Sequence, residues 1–162
     1  MGLRGDICKS DEGKRGVCMR LWHKELIPVL PRQQLLGQWR ECCLIAKNIA
    51  EKGTPGHILV NKIMEYPIGH FVRYCELVFD ECKRRGYRVR WKNLIRHSPI
   101  YTKEGLWKPK NEYIFKLWHN KHYLRQCYFN LEEKYDCGGL TGAEWYKFTT
   151  FIDDLIKEGE EE

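Results

Sequence analysis

The sequence has no long apolar run, no CxxC pair and no extended alternation of apolar and polar residues. A helix that spans a bilayer needs roughly 18 apolar residues, so we expect no membrane segment. The missing alternation argues against a β-sheet. The first 18 residues are charged and glycine-rich, which is unlike a secretory signal peptide. These absences predict a soluble, cytoplasmic protein that has no membrane contacts.

The eight cysteines do not form a disulfide pattern. Cys42 and Cys43 are adjacent, and Cys75 and Cys82 have helical spacing, so we expect buried thiols. Structural zinc sites usually show two close ligand pairs, and only one is visible here. We therefore expect no metal and no other cofactor. A zinc-dependent nuclease remains an alternative, and its ligands would be His119, His122 and Cys127.

Positive charge is concentrated in one part of the chain. The net charge is +6, and the segment KRRGYRVRWKNLIR at 83–96 holds seven basic residues and no acidic one. Tyr87 and Trp91 lie within this segment. Basic residues interleaved with aromatic ones are typical of nucleic-acid-binding surfaces, where phosphates and bases are both contacted. The alternative is an ordinary solvated surface loop.

Helical periodicity predicts an all-α fold in a compact single domain with long loops. The apolar residues repeat at helical spacing over 32–52, 67–85 and 111–135, and a capping box at 141–144 begins a last helix. The inward-facing residues expected in the third helix are Tyr113, Leu117, Leu124, Tyr128 and Leu131. We expect residues 1–18 to be a disordered extension or a mis-called start, 19–158 to be the domain, and 159–162 to be an acidic tail.

One face of the first predicted helix is polar. Gln34, Gln38 and Glu41 follow one another at helical spacing, and Arg40 is adjacent. This row is where the sequence places a candidate site.

Three segments of the chain resemble one family. MRLWHKELIPVLPRQQLLGQWRECC at 19–43 is similar to the amino terminus of the pyrimidine-dimer DNA glycosylases, the phage endonuclease V type, and especially to their bacterial branch. The similarity continues through GHILVNKIMEYP and ECKRRGYRV, and it is weak after Val89. The resemblance implies a helical enzyme that binds duplex DNA at a cyclobutane pyrimidine dimer. It also implies a glycosylase with abasic-site lyase activity, hence an endonuclease, that works through a Schiff base without a metal.

The resemblance assigns two catalytic groups. Glu41 corresponds to the family's carboxylate, and the α-amino group of Met19 corresponds to its nucleophile, provided that Met19 is the mature amino terminus. Arg20 is too bulky for removal of Met19, so the amine would belong to Met19 itself. If residues 1–18 are present in the cell, that amine is blocked. The alternatives are a lysine such as Lys24, or a protein that binds without cleaving.

The predicted partner is damaged double-stranded DNA, bound by a monomer. Leu44 stands where the family has a further DNA-contacting arginine. The expected DNA-binding residues are Arg20, Arg32, Gln33, Gln34, Arg40, His57, Arg84, Arg85, Arg88, Lys134, Tyr146 and Lys147. Two other functions remain open: a glycosylase/lyase for another lesion, and a non-catalytic nucleic-acid-binding protein on the same scaffold. Loss of cleavage but not of binding in Glu41→Gln would distinguish an enzyme from a binder.

Overall fold

A computed structural model describes residues 20–97, 101 and 104–158, with the side chains of 157 and 158 excepted. Met19, the extension at 1–18 and the acidic tail at 159–162 lie outside the described residues. The described part of the chain is helical and contains no β-strand, so the predicted all-α class is confirmed. None of its helices is both long and apolar enough to cross a bilayer.

Five α-helices follow one another within the residues that the structure describes. Their bounds are α1 at Arg32–Lys52, α2 at Ile68–Arg84, α3 at Lys92–Ile95, α4 at Lys121–Asp136 and α5 at Gly142–Glu158. Short 3₁₀ turns lie at Lys24–Val29, Asn61–Glu65 and Asn111–Tyr113.

Helix α1 has the predicted bounds. Pro28 and Pro31 prevent an earlier α-helix, and the preceding apolar segment forms a 3₁₀ turn instead. Gly53 ends α1 in the left-handed conformation with φ 72°, and its amide donates to the carbonyl of Ile49. Leu35, Trp39 and other apolar residues of α1 pack against α2 and α3 in the core.

Helix α2 crosses the interior and carries the predicted apolar stripe. Phe71, Cys75, Val78 and Cys82 are buried. Near its start, Gly69 permits a close approach, since a Cβ there would lie 1.9 Å from the carbonyl oxygen of Trp107. This contact holds the segment before α4 against α2.

The prediction of a helix over 111–135 is wrong at its beginning. Helix α4 begins at Lys121, where the Asn120 side chain accepts a hydrogen bond from the amide of Tyr123. The preceding residues form turns, and Phe115 has a φ of 46°. Tyr113 and Leu117 are therefore exposed rather than inward-facing, at 47% and 83%.

Helix α5 begins at the predicted capping box. The Glu144 carboxylate accepts from the amide of Thr141 at 2.9 Å, and the amide of Glu144 donates to the Thr141 hydroxyl at 3.2 Å. Phe148 and Ile152 are buried, while Trp145 is half-buried and stacks on Tyr135.

Candidate active site

The polar face of α1 lines a pocket of about 410 Å³. Gln34, Gln38 and Glu41 all contribute to it, because residues three or four positions apart share one face of a helix. Residues from the segment before α1 and from the C-terminal half of α4 complete the lining of the pocket. Its lining residues are Arg20, Trp22, Arg32, Gln33, Gln34, Leu36, Gly37, Gln38, Arg40, Glu41, Asn130 and Lys134.

The segment at 20–22 is fixed against three helices. The amide of Arg20 donates to Oε2 of Glu41 at 3.2 Å, and the amide of Trp22 donates to Oε1 of Gln38 at 2.8 Å. The hydroxyl of Tyr74 in α2 donates to the Trp22 carbonyl at 2.6 Å, and that of Tyr123 in α4 donates to the Leu21 carbonyl. The chain therefore enters the fold directly beside the Glu41 carboxylate.

Burial makes Glu41 an unusual carboxyl group. It raises the pKa of Glu41 to about 7, and the Arg20 amide and the charges of Arg20, Arg40 and Lys134 counteract it only in part. Near neutral pH both protonation states are then populated. A carboxyl group with this pKa can both accept and return a proton under physiological conditions.

Gln38 also lines the pocket, although the sequence assigned it no individual role. It is buried, its Oε1 lies 3.1 Å from the Tyr74 hydroxyl oxygen, and its amide nitrogen lies 3.5 Å from Oε2 of Glu41. It therefore orients Glu41 and the entering chain together. The position of Gln38 in the polar row of α1 was the one signal for it in the sequence, which did not show that its side chain is buried.

Two further pocket residues offer side-chain amides. The Oε1 atom of Gln34 is buried and has no hydrogen-bond partner among the described residues. An unpaired buried acceptor is costly, so it is a natural contact for a bound ligand. Asn130 lies across from α1, and its amide nitrogen donates to the Gln126 carbonyl at 2.9 Å. Nothing local in the sequence pointed to Asn130.

The structure brings together seven of the predicted site residues. All seven line the pocket, although α4 and α1 are far apart in the sequence. They are Arg20, Arg32, Gln33, Gln34, Arg40, Glu41 and Lys134. Met19 lies outside the described residues.

Six other predicted residues do not line the pocket: His57, Arg84, Arg85, Arg88, Tyr146 and Lys147. His57 is half-buried, and its Nδ1 accepts from the amide of Leu59 at 3.2 Å. Arg84, Arg88, Tyr146 and Lys147 are exposed elsewhere on the surface.

The side chain of Arg85 forms hydrogen bonds with other residues of the protein. Its Nε donates to Glu81 at 2.6 Å, and its two terminal nitrogens donate to the carbonyls of Leu30 at 2.6 Å and Pro28 at 2.9 Å. These contacts join the end of α2 to the turn before α1. The guanidinium of Arg85 therefore has a structural role in the described fold.

Lys24 is also engaged inside the protein. Burial lowers its pKa, and its ammonium donates to the carbonyls of Glu112 at 2.5 Å and Ile114 at 2.9 Å. Lys24 is not among the residues that line the Glu41 pocket. Its position supports a role in holding the turns before α4 rather than in catalysis.

The zinc alternative finds no site in the part of the chain that the structure describes. There, no group of three or more His, Cys, Asp or Glu side chains could hold a metal ion. Nδ1 of His119 accepts from the amide of Lys24 at 3.0 Å, and the ring stacks on His23 in the interior.

The family comparison agrees with the sequence resemblance. The family model described as pyrimidine dimer DNA glycosylase matches residues 19–92, a little under half of the chain. No curated protein and no solved structure gives a significant match. The matched segment supplies Glu41 and most of the pocket, whereas Asn130 and Lys134 lie beyond it. Residues 19–92 thus match the pyrimidine dimer DNA glycosylase family, in agreement with the resemblance seen in the sequence.

Proposed function

We propose that this protein is a DNA glycosylase with abasic-site lyase activity on cyclobutane pyrimidine dimers, acting through a Schiff base. The observation that carries this proposal is the hydrogen bond from the Arg20 amide to Glu41 in a cation-lined pocket. It places the chain directly after Met19 beside a carboxyl group whose pKa is about 7. The family match over 19–92 supports the same substrate.

The proposed nucleophile is the α-amine of Met19, in a chain that begins there. Such an amine is three covalent bonds from the Arg20 nitrogen, and that nitrogen donates a hydrogen bond to Glu41. An α-amine has a pKa of about 7.8, so roughly 30% is neutral at pH 7.4, against about 0.1% for an ordinary lysine. The chain end can therefore attack without a desolvated lysine.

The chemistry needs both forms of Glu41. The neutral amine attacks C1′ of the 5′ nucleotide in the dimer, and the C1′–N bond breaks with its electron pair leaving on the base, which takes up a proton. The ionised carboxylate stabilises the positive charge that develops on the sugar. The carboxylate takes one proton from the attached nitrogen and returns it to O4′ as the C1′–O4′ bond opens, so that O4′ stays on C4′ as a hydroxyl and the protonated imine forms. Removal of a C2′ proton then expels the 3′ phosphate, and water releases the amine.

The pocket cations are the proposed phosphate contacts. Arg20, Arg32, Arg40 and Lys134 surround the carboxyl group. A protein that makes roughly six to ten phosphate contacts loses about 10³- to 10⁵-fold in DNA affinity when the salt concentration rises from 50 to 200 mM. We propose double-stranded damaged DNA as the partner and an intracellular monomer as the working form. Arg88, Tyr146, Lys147 and His57 remain proposed contacts outside the pocket.

The test is borohydride trapping on a duplex that carries one defined thymine dimer. Both the full chain and a chain that starts at Met19 are used, and mass spectrometry locates the modified residue. We expect an adduct on the Met19 amine of the shorter chain, because this amine is free and only three covalent bonds from the Arg20 nitrogen that donates to Glu41.

Other outcomes would change the assignment. An adduct on a lysine in both chains would retain the lyase but reject the terminal nucleophile. The absence of an adduct on both dimer and abasic DNA would reject the catalytic proposal. A duplex with another lesion provides the control for substrate, since preferential trapping there would move the specificity away from pyrimidine dimers.

A further inference from the structure

A second basic surface lies on the other side of Arg40. Helices α1 and α3 border an open groove of about 380 Å³. Arg40 lines both this groove and the Glu41 pocket, so the two surfaces are continuous. The groove is lined by Trp39, Arg40, Cys43, Leu44, Lys47, Asn93, Arg96 and His97.

Core contacts hold the far wall of the groove in place. Leu94 of α3 is fully buried. The ring of Trp91, just before α3, lies 5.9 Å from that of Trp39 and 5.4 Å from that of Phe79. These contacts fix a helix of only one turn, which would not be stable alone. The position of Arg96 is therefore set by the packed core beneath it.

The groove carries charge of one sign. Arg40 and Lys47 come from one face of α1, and Arg96 comes from the end of α3. Among the described residues that line the groove, none is acidic. The charge of Arg96 acts within the groove: burial raises the pKa of the Cys43 thiol to about 12, while Arg96 acts to lower it. A concave surface of this kind attracts anions.

The apolar floor favours backbone contacts over base contacts. Trp39 is 4% exposed, so its ring has no free face on which a base could stack. Besides Asn93 and His97, the polar groups of the groove are the cations of Arg40, Lys47 and Arg96, and contacts from such cations to phosphate oxygens carry no direct sequence information. The chemistry of the groove therefore fits a phosphodiester backbone.

From this geometry we infer that the α1–α3 groove binds backbone phosphates of the strand that enters the Glu41 pocket. This inference rests on the proposed function. Lys47 follows Glu41 by six positions, about 9 Å along a helix. Because one nucleotide adds about 3.4 Å along the axis of duplex DNA, a groove this near Glu41 lies within reach of phosphates a few nucleotides at most from the reacting one. The groove thus extends the binding site along the same strand and anchors nucleotides that neighbour the reacting one.

The experiment measures duplex affinity against salt concentration for the full-length protein. The double variant Lys47→Gln/Arg96→Gln removes two groove cations, and Lys62→Gln/Lys121→Gln removes two exposed cations outside the groove. We expect the groove variant to bind about 10- to 100-fold more weakly at 100 mM salt, and its log–log salt slope to fall by about 2. The control variant should stay close to wild type.

Two additional measurements keep the outcomes distinct. Lys47→Arg/Arg96→Lys preserves the charges, and we expect it to retain the wild-type slope, which separates charge from misfolding. Trapping at saturating protein should be unchanged in the groove variant, because the Glu41 pocket is intact. Equal losses in the groove and control variants, or an unchanged slope, would overturn the inference. Loss of binding to polyglutamate with unchanged DNA binding would overturn it in favour of an acidic protein partner.

The slope measurement does not depend on catalysis. If wild type gives no trapped adduct but the groove variant loses salt slope, the phosphate groove stands and only the glycosylase proposal fails. If the wild-type protein forms the trapped adduct and the groove variant has the wild-type salt slope, the catalytic proposal stands and the groove assignment fails.

Discussion

Two glutamates on neighbouring helices show how the fold sets the state of a buried carboxyl group. Glu81, at the end of α2, is 8% exposed, and Glu41, in the middle of α1, is half-buried. Burial acts to raise the pKa of Glu81, but hydrogen bonds from Arg84 and Arg85 outweigh it and lower the pKa. Burial instead dominates at Glu41 and raises the pKa to about 7.

The difference lies in contact, not in the number of nearby cations. Glu81 receives guanidinium hydrogen bonds at 2.6–2.8 Å. Glu41 has three cationic side chains nearby, yet the donors that the structure records on it are the Arg20 amide and the Gln38 side chain. A charge at a distance is screened, whereas a direct ion pair offsets the cost of desolvation. The pocket therefore leaves Glu41 able to exchange protons.

The largest expected effect is on catalysis. Glu41→Gln should lower the rate of adduct formation on dimer DNA by about 10² to 10⁴, because an amide can neither exchange a proton nor stabilise the sugar cation. Glu81→Gln is the matched control and should keep the rate within about threefold. Single-turnover trapping at saturating protein measures both.

Equal losses of rate in Glu41→Gln and Glu81→Gln would contradict a special role of Glu41, because they would show that both substitutions act through a general effect on folding. Duplex binding by Glu41→Gln should stay near the wild-type level.

A smaller effect is expected on stability at the α2 end. Arg85→Gln removes the ion pair with Glu81 and leaves the carbonyls of Leu30 and Pro28 without their donor. We expect a loss of about 2–4 kcal/mol in the free energy of unfolding. Urea unfolding at pH 7 measures it.

Arg84→Gln serves as the control for that loss. Arg84 contacts the same carboxylate, but its side chain is 63% exposed. Its removal should cost less than about 1 kcal/mol. A larger loss for Arg84 than for Arg85 would contradict the structural role of the inner guanidinium.

The smallest effect is a gain in stability. Because the pKa of Glu41 is raised in the folded state, the ionised group destabilises the fold above the unfolded pKa of about 4.5, fully so above pH 7. After allowance for solvent screening, Glu41→Gln should raise the free energy of unfolding by about 1 kcal/mol at pH 8 and leave it almost unchanged at pH 4.5. Thermal unfolding across this pH range measures the gain.

Glu81→Gln should behave in the opposite way. Because the pKa of Glu81 is lowered in the folded state, its ionised carboxylate stabilises the fold at neutral pH, and this stabilisation is lost in acid. Glu81→Gln should therefore have a lower free energy of unfolding than wild type at pH 8. A gain from Glu41→Gln that does not change with pH would show that packing, rather than ionisation, is responsible.

Local signals predicted several elements correctly. Helix α1 has its expected bounds because the preceding prolines and Gly53 limit it on both sides. The capping box starts α5 because its two hydrogen bonds form between neighbouring residues. Both features depend on interactions within a few residues, which a sequence displays directly.

The start of α4 was mispredicted because distant contacts determine it. Its periodicity at 111–120 is compatible with a helix, yet the Lys24 ammonium binds the carbonyls of Glu112 and Ile114. A further contact, from the Phe115 amide to His70 at 3.1 Å, fixes a non-helical turn. Asn120 then caps a new start. Contacts made by residues 45–90 positions away outweigh the local periodicity.

The sequence by itself determined the helical class, the polar row on α1 and the family resemblance over the amino-terminal part. These follow from spacing and residue identity, which are properties of the chain. Only the tertiary structure decided that Lys134 joins the Glu41 pocket and that Arg85 is used internally. It also decided the pKa of Glu41, because burial and the exact set of contacting donors exist only after distant segments have packed together.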